Sequence, residues 1–301
     1  MATGFLGYES APLEQAAFSI IPAPFDDCAT FIKGQSAAPK AILEASACLE
    51  AFDEESGLDL AAQAPMHCIA PEEAPRGSAL NNWLAQQVNA ALDAVAVPVI
   101  LGGDGSVSYS AIKAVADRAA KSKQELSVLH LDAHADLNSL DGGDNNLNVM
   151  TKVRGIKNVS LCELGVRSLS KEAFDLIADD ENNIDCFFMS DLRGASDADW
   201  QEDVKNALSS PVYVSIDLSV FDTAIMSTVG NPEPGGFNWA QVTRLLKLVA
   251  AHRRIAAIDV VELCPREGDH AAAYTAARLI YKLMNYVVAG GKMLPKPAAA
   301  E

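Results

Sequence analysis

The chain has 301 residues, half of them apolar, enough for one large α/β domain or two smaller ones. Forty acidic against 23 basic residues give a formal charge of −17. That argues against nucleic-acid binding, where a basic face is expected, and fits a strongly solvated surface. No apolar stretch reaches the roughly 18 residues of a spanning helix, which excludes a membrane partner of that kind. The first residues carry no signal-peptide pattern. The six cysteines (28, 48, 68, 162, 186 and 264) form no CxxC pair, so reduced thiols in a cytoplasmic protein are the expectation.

Apolar runs alternate with helical patterns along the chain. Residues 18–22 read as a strand entering a loop over 26–34, and 39–52 as a helix with Pro39 near its first turn. An amphipathic helix over 81–95 feeds a buried strand at 97–101, the turn Gly102-Gly103-Asp104-Gly105-Ser106, and a helix over 107–121. The strand 127–131 runs into Asp132-Ala133-His134-Ala135-Asp136. A strand over 159–166, a helix near 171–177, a short apolar run at 184–189 and a helix over 199–208 follow. The strand 212–216 ends in Asp217; a helix over 239–251, a strand over 255–262 and a last helix over 271–288 complete the pattern. Near-continuously apolar strands separated by helices imply a three-layer, doubly wound, mostly parallel sheet. The expectation is a single α/β domain over 1–292 with a frayed tail at 293–301.

In such sheets ligands bind beyond the carboxyl ends of the strands. Four expected strand ends carry polar residues: 102–106, 132–136, 217–219 and Glu262. Asp132, His134 and Asp136 stand at alternate positions, so strand geometry can aim all three one way. Three such groups are costly to hold together unless something positive sits among them, and carboxylates with imidazole suit a divalent ion of intermediate softness. Asp217 can reach the same point. The plainer alternative for both is a hydrogen-bonded strand terminus with capping carboxylates. The 102–106 segment lacks a following Lys-Ser/Thr and GxGxxG spacing, so it reads as a tight turn rather than a phosphate loop. Glu262 suits either a guanidinium or amine partner or a cap. His67, His252 and His270 read as surface residues, and His130, inside an apolar strand, as a hydrogen-bonded core histidine.

The order GGD-x-S, DAHAD, SID-x-x-x-x-D, PEPGG and DVVEL-x-P resembles the ureohydrolase family of arginase, agmatinase and their relatives, over nearly the whole chain. The agmatinase branch is the most similar, through Pro22-Ala-Pro-Phe25, the 34–46 segment and Gly230-Asn-Pro-Glu-Pro-Gly-Gly236. The resemblance implies a doubly wound α/β fold, a homotrimer or hexamer, and hydrolysis of a guanidino C–N bond with two Mn(II) ions. It marks Asp132, His134, Asp136 and Asp217 as metal ligands and Glu262 as the carboxylate that grips the substrate's guanidinium. Three positions depart from the family pattern. Gly105 stands where the family has a His ligand and Ser219 where it has the second Asp of SIDxD. Asn146 lies nearest to an expected His of proton transfer and substrate contact.

Each metal site would thus fall from four protein ligands to about three. Losing even a partner behind a ligand costs about 10- to 100-fold in affinity. The resulting expectation is a ureohydrolase fold that has lost the binuclear site and its arginase or agmatinase activity. It would hold no metal, or Mn(II) if any, with no catalytic residue assigned. Such a protein would bind a small guanidino or amine ligand, regulate, or pair with an active relative. The alternative is an active metal-dependent hydrolase of a guanidino or formimino C–N bond, using one metal or a changed site, with a histidine such as His130 or His270 filling in. A deacetylase-like single-zinc hydrolase ranks lower, because Ser219 replaces the Asp it would need. Without metal, the crowded carboxylates are expected to take up protons, bond to Ser219, or pair with Lys33 or Lys152.

Overall fold

A computed structural model describes residues 4–141, 143, 145–179 and 183–296. The strands are β1 (Phe18–Ala23), β2 (Phe52–Asp53), β3 (Leu58–Asp59), β4 (Met66–Cys68), β5 (Val97–Gly102), β6 (Leu126–Leu131), β7 (Val159–Leu164), β8 (Ile184–Phe187), β9 (Val212–Asp217) and β10 (Ile255–Val261). The α-helices are α1 (Ala38–Ser46), α2 (Leu60–Gln63), α3 (Ala79–Asp93), α4 (Ser108–Lys121), α5 (Val149–Arg154), α6 (Lys171–Ile177), α7 (Met189–Leu192), α8 (Asp197–Ala207), α9 (Trp239–His252) and α10 (Ala271–Gly290).

Eight strands form one sheet in the order β4-β1-β5-β10-β9-β6-β7-β8, and every described pairing in it is parallel. Every residue of β1, β5, β6, β9 and β10 is buried, because helices cover both faces. Along β6 the pleat sends Leu129 and Leu131 into one apolar cluster with α1 and α7 to α10, and Leu126 and Val128 into a second with α3 to α6. The single three-layer α/β domain is therefore as the apolar pattern implied.

β5 and β6 are consecutive strands separated by only one helix, yet β10 and β9 lie between them in the sheet. That insertion gathers the carboxyl ends of β5, β10, β9 and β6 into a crevice of the kind that binds ligands in open α/β sheets.

Differences from the sequence reading lie at short elements. The first expected helix stops at Ser46, and the β2–β3 hairpin and the edge strand β4 follow where no element was expected. Two or three residues are too few for periodicity to reveal. The hairpin is pinned from afar: Lys282 of α10 pairs with Asp53, Glu54 and Glu55 at 2.6–3.1 Å. His67 lies half-buried on β4, its Nδ1 3.0 Å from the Ala11 carbonyl, rather than free on the surface. The expected tail is held at its start, where Lys296 donates to the Ala94 carbonyl at 2.7 Å; residues 297–301 lie outside the described residues. No described helix is long and apolar enough to cross a membrane.

Candidate metal and substrate site

The site stands on a buried polar row. Glu163 of β7, His130 of β6, Ser215 of β9 and Asp259 of β10 are cross-strand partners in register, and each is at most 2 % exposed. The row is paired internally. His130 Nδ1 lies 2.7 Å from Glu163 Oε2, and Tyr213 and Ser215 each donate a hydroxyl to Asp259 at 2.7 Å. Burial alone would lower the His130 pKa, but the Glu163 charge and hydrogen bond lift it to about 9. His130 is the hydrogen-bonded core histidine the sequence suggested.

Two residues further along β6 and β9 the pleat returns to the same face, and there the charges crowd. Asp132 Oδ1 accepts from Ser219 Oγ at 2.7 Å and from the His134 amide at 2.9 Å. Its Oδ2 is buried with no hydrogen-bond partner, 3.5 Å from His130 Nε2. Asp217 Oδ1 accepts from the Ser219 amide at 2.7 Å. Burial, and then the charges of Asp132 and Asp217, push the Asp136 carboxyl well above the usual range. Asp217 is pushed well up by burial and by Asp132 and Glu262. Burial also works against Asp132, but the hydrogen bond and charge of His134 and the charge of His130 outweigh it and hold this carboxyl low. The upward shifts of Asp136 and Asp217 favour protonation, and Ser219 bonds to Asp132 as expected; the Lys152 ammonium lies 5.0 Å above the Tyr109 ring centre.

Asp136 and Glu262 both adopt positive φ, 52° and 69°, an uncommon conformation for such residues that recurs at functional sites. Glu262 is 3 % exposed. Its Oε1 accepts from the Gly105 amide at 2.8 Å and Asn146 Nδ2 at 3.1 Å, and its Oε2 from Gln35 Nε2 at 3.0 Å. Burial raises its pKa to about 7, and these three donors limit the rise. The 102–106 segment is the tight turn expected: a Cβ on Gly103 would stand 1.8 Å from the Phe25 carbonyl oxygen, and Asp104 caps the following turn through Ser106.

Arg167 ties the rim together. Its guanidinium donates to the carbonyls of Gly165, Ser219, Phe221, Glu233 and Pro234. The segment after β9 is thereby locked to the 233–234 loop, with Glu233 Oε1 3.8 Å from His134 Nε2.

Residues 16–285 match the arginase family. The chain belongs to the arginase family. It is 30% identical over 291 residues to an N(1)-aminopropylagmatine ureohydrolase of Thermus thermophilus, covering 91% of this chain and 92% of the relative. A Synechocystis enzyme of the same name is 28% identical over 280 residues, covering 90% and 89%. Among solved structures, proclavaminate amidino hydrolase from Streptomyces clavuligerus superimposes with a TM-score of 0.83 at 21% identity, covering 96% of this chain and 98% of that one. The agmatine ureohydrolase of Thermoplasma volcanium gives 0.81 at 22%, covering 96% of each.

The three positions expected to depart from the family pattern, Gly105, Ser219 and Asn146, lie in the crevice. Ser219 and Asn146 are bonded to Asp132 and Glu262 as described. A Cβ on Gly105 would meet only Glu262 Oε1 at 3.7 Å and Asp136 Oδ2 at 3.8 Å, so a larger residue has room to start there. His252 and His270 are exposed, His270 at the start of α10. His130 is different: donor atoms of His130, Asp132 and Asp136 lie within 4.8 Å of one another. Gln35, Glu163, Glu233 and Arg167 were given no role from the sequence, although Gln35 and Glu233 lie inside the 34–46 and 230–236 segments that resemble the family. Glu163 also had a signal of its own, as an acid inside an otherwise apolar strand.

Proposed function

We propose that this arginase-family chain is a metal-dependent hydrolase of a linear amidine C–N bond, guanidino or formimino, built on one divalent ion rather than two. The observation that carries this is His130. Its Nδ1 is held by Glu163 while its Nε2 faces the unpartnered Asp132 Oδ2. A carboxylate behind one ring nitrogen is how a ligating imidazole is commonly oriented. His130, Asp132 and Asp136 form a compact donor set, with Asp217 adding charge from β9. Gly105 brings no side-chain donor, and the Ser219 hydroxyl is committed to Asp132. The donors therefore fit one ion, Mn(II) by family habit, and not the family's pair.

When bound, such an ion acidifies water and offsets negative charge developing in the transition state. The chain's own groups do the rest. Arg167 fixes the rim against which a substrate rests. Glu262, with a pKa of about 7, can hold or release a proton near neutrality. The similarity to aminopropylagmatine ureohydrolases supports an extended, cationic guanidino compound as the first substrate to try.

The test is metal content after Mn(II) loading and dialysis, with urea release from agmatine and N(1)-aminopropylagmatine and turnover of a formimino compound measured alongside. About one ion per chain, lost in His130→Gln, with metal-dependent turnover is the expected result. Two ions, or one that survives His130→Gln, would overturn the single-ion site.

A second reading is that the chain has given up hydrolysis and serves as a binder, a regulator or the partner of an active relative. What favours it is Glu262, already engaged on both oxygens by the chain's own groups. Retention of no ion with no turnover would select it. A cytoplasmic homotrimer or hexamer belongs to either reading, and light scattering on the purified protein tests the assembly.

A further inference from the structure

A second cavity, of about 670 Å³, lies beside the crevice; that is the size of a small-molecule site. Glu233 forms part of its wall, and the same carboxylate stands 3.8 Å from His134 Nε2. Leu169 lines both this cavity and the smaller pocket walled by His134 and Asp136. The two spaces therefore adjoin.

The cavity is aromatic where an outer surface is ordinarily polar. Phe174 is 47 % exposed, and its ring stacks on Phe188 with centroids 6.0 Å apart. The carboxylates of Asp191 and Glu233 share the wall with these rings. Asp191 accepts the Ser190 hydroxyl at 3.2 Å. Among the described residues, no lysine or arginine forms an ion pair with either carboxylate. The two guanidiniums of the wall are turned to backbone instead. Arg167 donates to five carbonyls, and Arg193 Nη2 donates to the Gly235 carbonyl at 3.0 Å. Glycine permits that seat, since a Cβ on Gly235 would stand 2.2 Å from Arg193 Nη2. Carboxylates with open acceptor positions beside aromatic rings suit an ammonium, which gives its N–H groups to the former and its charge to a ring face.

We propose that this cavity is a binding site for the distal ammonium of an extended substrate whose head lies in the crevice. Glu233 and Asp191 accept its N–H groups, and Phe174 and Phe188 pack on the methylenes that lead to it. This rests on the crevice being the substrate site, as in the hydrolase reading, but the binding itself needs no metal.

The experiment is calorimetric titration of the metal-free protein with agmatine and with N(1)-aminopropylagmatine, which adds an aminopropyl arm with one more charge. Wild-type protein is expected to bind the longer compound about tenfold more tightly. Glu233→Gln and Phe174→Ala are each expected to remove most of that preference while agmatine affinity hardly changes; a merely structural role would move both ligands together. Arg193→Ala is expected to keep or raise the preference. Asp117→Asn makes the same charge change as Glu233→Gln, but towards the end of α4 away from the crevice, and is expected to leave the ratio alone. No wild-type preference, including no measurable binding of either compound, overturns the proposal. So does an unchanged ratio in folded Glu233→Gln and Phe174→Ala, a preference lost in Arg193→Ala, or an equal loss in Asp117→Asn, which would make it a matter of net charge. Turnover after Mn(II) loading is read separately. The preference without hydrolysis of either compound removes the hydrolase reading and keeps this site; hydrolysis of both without the preference does the reverse.

Discussion

Two polar layers lie one above the other in the middle of the sheet, made from similar side chains, and they meet burial in opposite ways. In the lower layer Glu163 faces His130, and Asp259 takes hydroxyls from Tyr213 and Ser215. In the upper layer, two residues further along β6 and β9, Asp132 and Asp217 stand beside Asp136. Hydroxyl and amide bonds from Ser219 and the His134 neighbour of Asp132 are the main relief there. In the lower layer each charged side chain has a counter-group or donor, with Glu163 Oε1 left unpartnered. The upper one is a concentration of negative charge that must either hold protons or receive a cation. Pairing, rather than residue type, separates the two layers, and His130 joins them, held by Glu163 on one side and facing Asp132 on the other.

The largest effect that bears on this contrast is on stability. Glu163→Ala breaks a buried pair and is expected to cost about 3–5 kcal/mol in denaturant titration. Asp217→Asn, which removes a repelling charge, is expected to leave metal-free stability unchanged or higher. The contrast breaks if Asp217→Asn costs as much as Glu163→Ala.

Next is pH. Glu262, raised from 4.5 to about 7, keeps a proton in the folded state that the unfolded chain has released. Between these values the folded protein binds more protons, so metal-free stability falls as pH rises, by up to about 3 kcal/mol from this group. Asp136 and Asp217 act in the same direction. His130 contributes stability that is complete below 6.5 and is lost as pH rises through about 9. Denaturation at pH 5 and pH 8 with a chelator present should show the fall, and Glu262→Gln should flatten it; a rise would contradict the upper layer as drawn.

A gain of function sharpens the comparison further. Gly105→His with Ser219→Asp is expected to raise retained Mn(II) from about one ion per chain to about two, read by elemental analysis. Room exists at Gly105, where an added Cβ meets nothing closer than 3.7 Å. A count that stays at one means the second set of donors does not converge. The smallest expected effect is that of Tyr213→Phe. It removes one of the donors to Asp259 and should cost about 1–2 kcal/mol, with no change in metal content.

Much of this was open to reading along the chain. Apolar runs gave β5, β6, β9 and β10, because period-two alternation is a local property, and their polar ends pointed to Asp132, His134, Asp136, Asp217 and Glu262, of which Asp132 and Asp136 join His130 in the compact donor set. Gly105, Asn146 and Ser219 were read there as departures from the family pattern. The short hairpin β2–β3 was not, since its anchor Lys282 lies more than two hundred residues away.

The sequence by itself determined the fold, the family and the acidic strand ends that meet at the crevice. Only the tertiary structure decided what those groups do to one another. It showed that His130 has a carboxylate at its back and Asp132 in front, and that the Ser219 and Asn146 side chains bond to Asp132 and Glu262 while Gly105 leaves open room. It also brought Gln35 onto Glu262 across 227 positions of chain. Such pairings depend on which strands the sheet makes neighbours and on how a loop closes over them, and no local pattern of side chains encodes either.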